Sequence, residues 1–241
     1  MTVTVQAIPM LSDNYSWLLT ESETGKIGII DPAEAAPAIA VLEAAGLGLD
    51  MIFLTHHHPD HVGGAEELRA RYGAQIVGNR ADAHRLPSLD VPVHEGALVA
   101  FGPANARVIE VPGHTLGHIA YYFADGELLF AGDTMFSMGC GRLFEGTAAQ
   151  MFDSFAKFSD LPDETLLCCG HEYTQSNAKF ALSIEPDNAA LKARVDEVAR
   201  LRAAGLATLP VSLGVERATN PFIRAATAEE FGARRAAKDS F

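Results

Sequence analysis

The residues with the clearest chemical potential are histidines crowded into one short segment. Four of the nine histidines lie between positions 56 and 61, in the run Thr-His-His-His-Pro-Asp-His that starts at Thr55. Imidazole nitrogens and carboxylate oxygens are ligands for zinc, iron and manganese. Pro59 disfavours a helix here and pushes the preceding residue toward an extended backbone, so His56 and His58 are expected to point one way and His57 the other. The segment therefore predicts part of a metal site, and His57 is not expected to be one of its ligands.

More ligands must come from elsewhere, because one loop cannot close a site of four ligands. His114 lies in Pro-Gly-His-Thr-Leu-Gly-His, and His171 lies in Cys-Gly-His-Glu-Tyr. Asp133 follows a short apolar run in Ala-Gly-Asp-Thr. An exposed histidine-rich loop with unrelated core histidines is the alternative, but enough spaced ligands are present for a site.

Other polar residues near these motifs are interpreted as supporting ones. His118 is expected to be a structural or hydrogen-bonding residue, with a ligand role as the alternative. His84 and His94 are expected to be ordinary surface or loop residues. Three further residues are candidates for orienting the ligands, although satisfied turn residues would look the same: Asp31, Thr55 and Thr134.

The ordered motifs T-H-x-H-x-D-H, P-G-H-T-x-G-H, A-G-D and G-H resemble the metal-binding signature of the metallo-β-lactamase superfamily. The resemblance implies two divalent metal ions per chain, zinc first, with iron or manganese as alternatives. It implies that one ion is held by His56, His58 and His114, and the other by Asp60, His61 and His171. Asp60 and Asp133 would then be the catalytic carboxylates, with Asp133 bridging the ions and holding the nucleophilic hydroxide.

Such a pair of ions favours hydrolysis without a protein nucleophile. The chain has neither a G-x-S-x-G elbow nor a P-loop, so serine hydrolases and P-loop nucleotide hydrolases have no support. Two divalent ions, two carboxylates and one hydroxide leave a local charge of about +1, which attracts an anionic substrate. A thioester suits this arrangement, because a thiolate leaves more readily than an alkoxide.

Four further segments are similar to the glyoxalase II family within this superfamily: residues 139–147, 170–174, 220–222 and 235–239. The resemblance implies hydrolysis of S-D-lactoylglutathione, or another S-(2-hydroxyacyl)glutathione, to glutathione and a 2-hydroxy acid, in methylglyoxal detoxification.

The same resemblance implies which residues contact the glutathione thioester: Arg142, Phe144, Tyr173, Arg235 and Lys238. Arg and Lys can pair with the two carboxylates of glutathione. Many relatives have Lys and Tyr where this chain has Arg142 and Phe144. Any hydrogen bond from that tyrosine hydroxyl is therefore absent here, and the affinity for substrate could differ from that of those relatives. A solvated helix face is the alternative explanation for Arg235 and Lys238.

Three competing functions stay open at this point. A persulfide dioxygenase of the same superfamily would use one iron, and a phosphodiesterase acting on nucleic acid would be expected to expose a basic surface. The third alternative is a binding module that holds glutathione conjugates without cleaving them.

The ligands need strand ends to position them. Short apolar runs predict strands at residues 27–30, 51–54, 75–77, 107–111, 119–123, 128–131 and 166–169. Helices are predicted at 33–45, 65–72 and 187–204. Thr227 and Glu230 have capping-box spacing for a final helix. The resemblance implies an α/β fold, the metallo-β-lactamase αββα sandwich, with a smaller, mainly α-helical C-terminal domain. We therefore expect a catalytic domain at 1–173 and a helical glutathione-binding domain at 174–241.

The bulk composition limits the partners and the compartment. A formal charge of -13 over 241 residues argues against nucleic acid and anionic membranes as partners. No apolar run is long enough to cross a bilayer, and the start lacks a secretory signal, so we expect a cytoplasmic protein. We also expect a monomer. Cys140, Cys168 and Cys169 are expected to be buried apolar residues in a reducing compartment.

Overall fold

The computed structural model describes residues 2–241, and its backbone packing forms two compact units. The first unit comprises the described residues up to Glu110 together with Gly117–Gly132. The second comprises Val111–Leu116 and Asp133–Phe241. The expected division at residue 173 follows the order of the sequence motifs and stays a prediction.

The first unit is built mainly of strands, with short helices between them. Its helices are α1 (Ala35–Ala45), α2 (Pro59–Val62) and α3 (Ala65–Tyr72). Its strands are β1 (Val3–Met10), β2 (Asn14–Glu21), β3 (Ile27–Ile30), β4 (Met51–Phe53), β5 (Gln75–Asn79), β6 (Val91–Val93), β7 (Leu98–Phe101), β8 (Ala104–Glu110), β9 (Ile119–Phe123) and β10 (Leu128–Gly132).

Strands β1 to β6 form one mixed sheet in sequence order. Strands β3 to β6 are parallel, while β1, β2 and β3 pair antiparallel. Parallel strands in such folds are covered on both faces, which explains why β3 and β4 are short, wholly apolar runs. Ile29 and Ile52 lie in a buried cluster with Ala38 and Leu42 of α1 and Leu68 of α3. One face of this sheet therefore packs against helices.

The other face carries an aromatic core shared with the antiparallel strands β7 to β10. The Phe53 ring meets Phe101, Tyr121 and Phe123 edge to face at centroid distances of 6.0, 5.2 and 6.0 Å. A Cβ atom at Gly28 would come within 3.1 Å of Phe101 and 3.2 Å of Phe53, so the two rings would have to shift by a few tenths of an ångström to admit a side chain. The first unit thus stacks helices, a sheet and a second group of strands.

The second unit is mainly helical. Its strands are β11 (Met135–Phe136), β12 (Gly139–Cys140), β13 (Leu166–Cys169) and β14 (Val211–Ser212). Its helices are α4 (Ala148–Ala156), α5 (Thr174–Ile184), α6 (Ala189–Ala203), α7 (Leu213–Thr219) and α8 (Ala228–Asp239).

A buried carboxylate fixes the turn of the β11–β12 hairpin. Glu216 of α7 accepts hydrogen bonds from the Ser137 hydroxyl (2.7 Å), the Met138 amide (2.8 Å) and the Asn220 side chain (3.0 Å). The Asn220 side chain also donates to the Phe136 and Gly139 carbonyls, both at 3.0 Å. Burial raises the pKa of Glu216. These hydrogen bonds stabilise the hairpin, whose second strand ends two residues before Arg142.

The helices and strands agree well with the sequence predictions where local signals are strong. The α3 boundaries are as expected, and Gly73 ends that helix in the left-handed region with φ 72°. Thr227 caps α8 by accepting from the Glu230 amide. Within residues 2–241, no helix has both the length and the apolar character that crossing a bilayer requires.

Candidate metal centre

The histidine-rich segment runs from the end of β4 into α2. The expectation that Pro59 disfavours a helix here was wrong, because Pro59 is the first residue of a helix. The first residue of a helix needs no N–H donor, so proline is well suited there. His58 has φ -62° and ψ 142°, which is the extended conformation expected before proline. Asp60 and His61 are the second and third residues of this one-turn helix.

The histidine side chains separate as the alternation predicts. His56 Nε2 and His58 Nδ1 lie 3.1 Å apart, so these two rings face the same place. His57 instead bonds through Nδ1 to the buried carboxylate of Asp82 at 3.1 Å. Arg85 Nε donates to the same carboxylate at 2.6 Å. The expected direction of His57 is confirmed.

Asp31 orients two of the predicted ligands. Since β3 and β4 are parallel, their carboxyl ends lie at the same edge of the sheet, where Asp31 follows Ile30. Asp31 accepts from the Thr55 amide (2.8 Å) and hydroxyl (2.6 Å) and pairs with His61 Nδ1 (2.9 Å). The Thr55 hydroxyl lies 3.0 Å from His56 Nδ1. These contacts engage Nδ1 of both His56 and His61, so Nε2 is the nitrogen of each ring that would bind a metal ion.

Asp60 has its own positioning partner, which the sequence interpretation missed. Asn14, at the start of β2, is buried, and its side-chain nitrogen lies 3.1 Å from both the backbone oxygen and Oδ2 of Asp60. A ligand carboxylate held in this way keeps one orientation toward a metal ion. The partners lie 46 residues apart in sequence, so no local signal identifies Asn14.

The remaining histidines of the first unit take the expected places. His118 is buried, and its ring stacks on His56 with a centroid distance of 4.6 Å and an interplanar angle of 19°. His84 and His94 are exposed. His118 thus packs against a predicted ligand.

The second unit brings together Asp133, His114 and His171. The Nε2 atoms of His114 and His171 lie 3.5 and 3.3 Å from Asp133 Oδ2. All three residues are buried. The Arg142 carbonyl lies 2.8 Å from His114 Nδ1, which leaves Nε2 facing the carboxylate. Gly141 permits this arrangement, because a side chain there would collide with the Asp133 carbonyl.

The donor atoms of each unit fit a divalent transition-metal ion. In the first unit, His56 Nε2 lies 3.1 Å from His58 Nδ1, and His61 Nε2 lies 3.7 Å from Asp60 Oδ2. In the second, two imidazole nitrogens converge on one carboxylate oxygen. Nitrogen and oxygen donors of this kind suit zinc, iron and manganese. Thr134 is buried beside Asp133, and its orienting role stays a prediction.

Two of the predicted substrate contacts are aromatic rings beside predicted ligands. The exposed Phe144 ring lies 5.2 Å from the His114 ring. Tyr173 stacks on His171 with a centroid distance of 4.7 Å and an interplanar angle of 4°.

The basic residues differ sharply in exposure. The Arg142 side chain is 67% exposed, whereas Arg235 is 6% exposed and donates to the Cys140 carbonyl and to Asp239. Lys238 bonds to the backbone oxygen and hydroxyl of Ser176. The solvated helix face that was the alternative for Arg235 is therefore wrong.

The three cysteines are buried, as expected. Burial raises the pKa of Cys140 to about 12. Burial also raises the pKa values of Cys168 and Cys169 far above that of an ordinary thiol.

Comparison with known protein families gives matches over residues 11–241. Residues 11–171 match the Metallo-beta-lactamase superfamily, and residues 172–241 match the Hydroxyacylglutathione hydrolase C-terminus. A hydroxyacylglutathione hydrolase of Acidiphilium cryptum is 55% identical over 99% of this chain and 97% of its own length. One of Rhodospirillum rubrum is also 55% identical, over 95% of this chain and 89% of its own.

Solved structures give the same fold. ETHE1 from Myxococcus xanthus has a TM-score of 0.74 at 25% identity, covering 97% of this chain and 90% of its own. TTHA1623 in a di-iron-bound form has a TM-score of 0.64 at 25% identity, covering 91% and 99%. The predicted metallo-β-lactamase fold, with a smaller helical C-terminal region, is confirmed. With these matches extending over nearly its full length, the chain belongs to the hydroxyacylglutathione hydrolase family of the metallo-β-lactamase superfamily.

Proposed function

We propose that this chain is a thiolester hydrolase that cleaves S-D-lactoylglutathione, or another S-(2-hydroxyacyl)glutathione, to glutathione and a 2-hydroxy acid. The reaction belongs to methylglyoxal detoxification. The observation that carries the proposal is the match to hydroxyacylglutathione hydrolases over both the N-terminal and the C-terminal regions. The C-terminal match distinguishes this family from the broader superfamily, whose metal signature is shared by several chemistries.

The ligand set is proposed from the family signature and supported by the local geometry of each unit. One divalent ion would be held by His56, His58 and His114, and the other by Asp60, His61 and His171, with Asp133 as a ligand of both. When bound, such ions polarise the thioester carbonyl and lower the pKa of a water molecule toward neutrality. Asp31 keeps the proton of His61 on Nδ1 and leaves Nε2 for the ion.

The protein side chains supply orientation and charge. Arg142, Arg235 and Lys238 provide the positive charge for the carboxylates of glutathione, with Arg235 acting from a buried position. The Phe144 and Tyr173 rings flank His114 and His171 and give the peptide apolar surfaces to lie against. Binding energy from glutathione thereby orients the acyl group for attack.

Three finer features belong to the same proposal. The ions are zinc, because histidine and aspartate ligands of this kind suit it, with iron or manganese as the alternatives. The enzyme acts as a monomer in the cytoplasm, on a small thioester rather than on nucleic acid. The net charge of -13 supports the last point, since a polyanion would be repelled.

The decisive experiment follows the thioester absorbance of S-D-lactoylglutathione after mixing with purified, metal-analysed protein. We expect rapid loss of absorbance that disappears after chelator treatment and returns when zinc is added. No loss of absorbance from protein that holds two ions per chain would contradict the proposal. Oxygen uptake with glutathione persulfide, measured in parallel, would instead indicate a dioxygenase.

A further inference from the structure

The carboxylate of Asp239 lies beside two of the basic residues proposed to bind glutathione. Asp239 is the last residue of α8, one position after Lys238 and four after Arg235. Arg142 and Arg235 both approach the same Asp239 oxygen, Oδ1. Burial first, and then the charges of Arg235 and Arg142, lowers the pKa of Lys238.

Asp239 makes unequal contacts with the two arginines. Arg235 Nη2 donates to Oδ1 at 3.0 Å from a side chain that is 6% exposed. Its Nη1 donates to the Cys140 carbonyl, and its guanidinium lies 5.6 Å from the Phe222 ring centroid. These contacts fix Arg235, and through it they fix the Asp239 carboxylate.

The contact with Arg142 is looser. Arg142 Nε lies 3.8 Å from Oδ1, and the two side chains are 67% and 47% exposed. An exposed ion pair of this length contributes little stability and is easily replaced by another carboxylate. Arg142 is therefore the cation that an incoming anion can reach, while Asp239 already lies beside it.

We propose that Asp239 lowers the affinity of the enzyme for glutathione, because its carboxylate competes with a carboxylate of the glutathione moiety for Arg142. The inference rests on the proposed function, because it takes the glutathione thioester as the anion that arrives. Competition weakens binding of the substrate and of the product glutathione to the same degree, since both carry the same carboxylates. Asp239 thereby favours product release, and the effect belongs to KM and to product inhibition rather than to the chemical step.

The isosteric variant Asp239→Asn isolates the charge. The amide oxygen can still accept from Arg235, so the fixed guanidinium keeps a partner while the competing charge is removed. Asp125→Asn is the matched control, because it also removes one exposed carboxylate, on a turn in the other compact unit.

The kinetic test compares S-D-lactoylglutathione with the same thioester carrying methyl-esterified glutathione carboxylates. For the free acid, we expect Asp239→Asn to lower KM and the inhibition constant of glutathione about two- to fivefold, the range of an exposed ion pair. The effect should shrink at high ionic strength because the charges are screened. For the ester, KM should be the same in both proteins.

Three outcomes would overturn the inference: an unchanged KM for the free acid, a raised one, or an equal decrease for the ester. If the wild-type protein does not hydrolyse the thioester, the proposed function fails separately. Calorimetric titration with glutathione then decides the role of Asp239. Tighter binding by Asp239→Asn supports competition, whereas equal, weaker or undetectable binding by the variant rejects it.

Discussion

Replacing Asp31 with Asn tests how the fold sets the chemistry of His61. Asp31 Oδ2 accepts from the Thr55 hydroxyl at 2.6 Å and faces His61 Nδ1 at 2.9 Å, while Oδ1 accepts from the Thr55 amide at 2.8 Å. An amide has one oxygen, so it can satisfy only one side of this arrangement. Asparagine also tolerates the left-handed backbone at this position, where φ is 47°. The substitution therefore changes hydrogen bonding with little backbone cost.

The magnitude follows from the two orientations of the amide. If its nitrogen faces His61, Nδ1 must accept, and the imidazole proton moves to Nε2, where it blocks metal binding. If its oxygen faces His61, the amide nitrogen faces the Thr55 N–H, and two donors meet at a cost of about 1–3 kcal/mol. We expect metal affinity to fall about 10- to 100-fold, as for other partners of metal-binding histidines. Metal-free stability should fall by less than about 3 kcal/mol.

Competition with a chromophoric chelator measures the affinity, and denaturant unfolding of the metal-free proteins measures the stability. Asp50→Asn is the matched control, because Asp50 also accepts a backbone N–H, from Ile27 at 2.8 Å, away from the histidines. It should leave metal affinity unchanged. An Asp31→Asn protein that binds zinc within twofold of wild type would refute the tautomer argument.

Four further predictions follow. Asn14→Leu removes the amide that orients Asp60 and should weaken metal binding about 10-fold in the chelator assay; wild-type affinity would contradict that role. Asp133→Ala should abolish both metal loading, measured by elemental analysis, and thioester turnover; full activity with normal metal content would remove it from the mechanism. Lys238→Met keeps the aliphatic stem but loses the charge, so steady-state kinetics should show a raised KM with kcat nearly unchanged; an unchanged KM would rule out a binding role. Burial raises the pKa of Glu216 above 4.5, so its contribution to stability is complete at acid pH and is lost as the pH rises through the raised value. The unfolding free energy of Glu216→Gln should therefore increase relative to that of the wild type as the pH rises from about 4.5 to 8. A difference that stays constant with pH would refute this.

Local rules explain which parts of the fold could be predicted from sequence. The α3 boundaries were recovered because an apolar pattern ends at a glycine that adopts the left-handed conformation. The Thr227 cap was recovered because its side chain serves an amide three residues ahead. Only half of the capping box formed, since the Glu230 carboxylate accepts from Ala226 instead of from Thr227.

Contacts between distant residues explain what was missed. The β1–β2 hairpin went unpredicted because its outer strand mixes exposed and buried residues without a wholly apolar run. Asp82 holds His57 across 25 residues, and Asn14 holds Asp60 across 46. Arg194 lies on the buried face of α6, where its guanidinium Nη2 donates a hydrogen bond to the Thr208 carbonyl at 2.8 Å. No periodicity or spacing within one segment reports such pairings.

The burial of the thiols has a consequence for an enzyme whose substrate is itself an acyl donor. A thiolate beside a thioester can capture the acyl group by thiol exchange and leave the protein covalently acylated. Because burial raises its pKa to about 12, Cys140 is almost wholly protonated at pH 7, whereas a free cysteine is a thiolate in a few per cent of molecules. Burial also raises the pKa values of Cys168 and Cys169, which keeps both thiols protonated. The fold therefore keeps its own sulfur atoms from reacting with the bond that the enzyme hydrolyses.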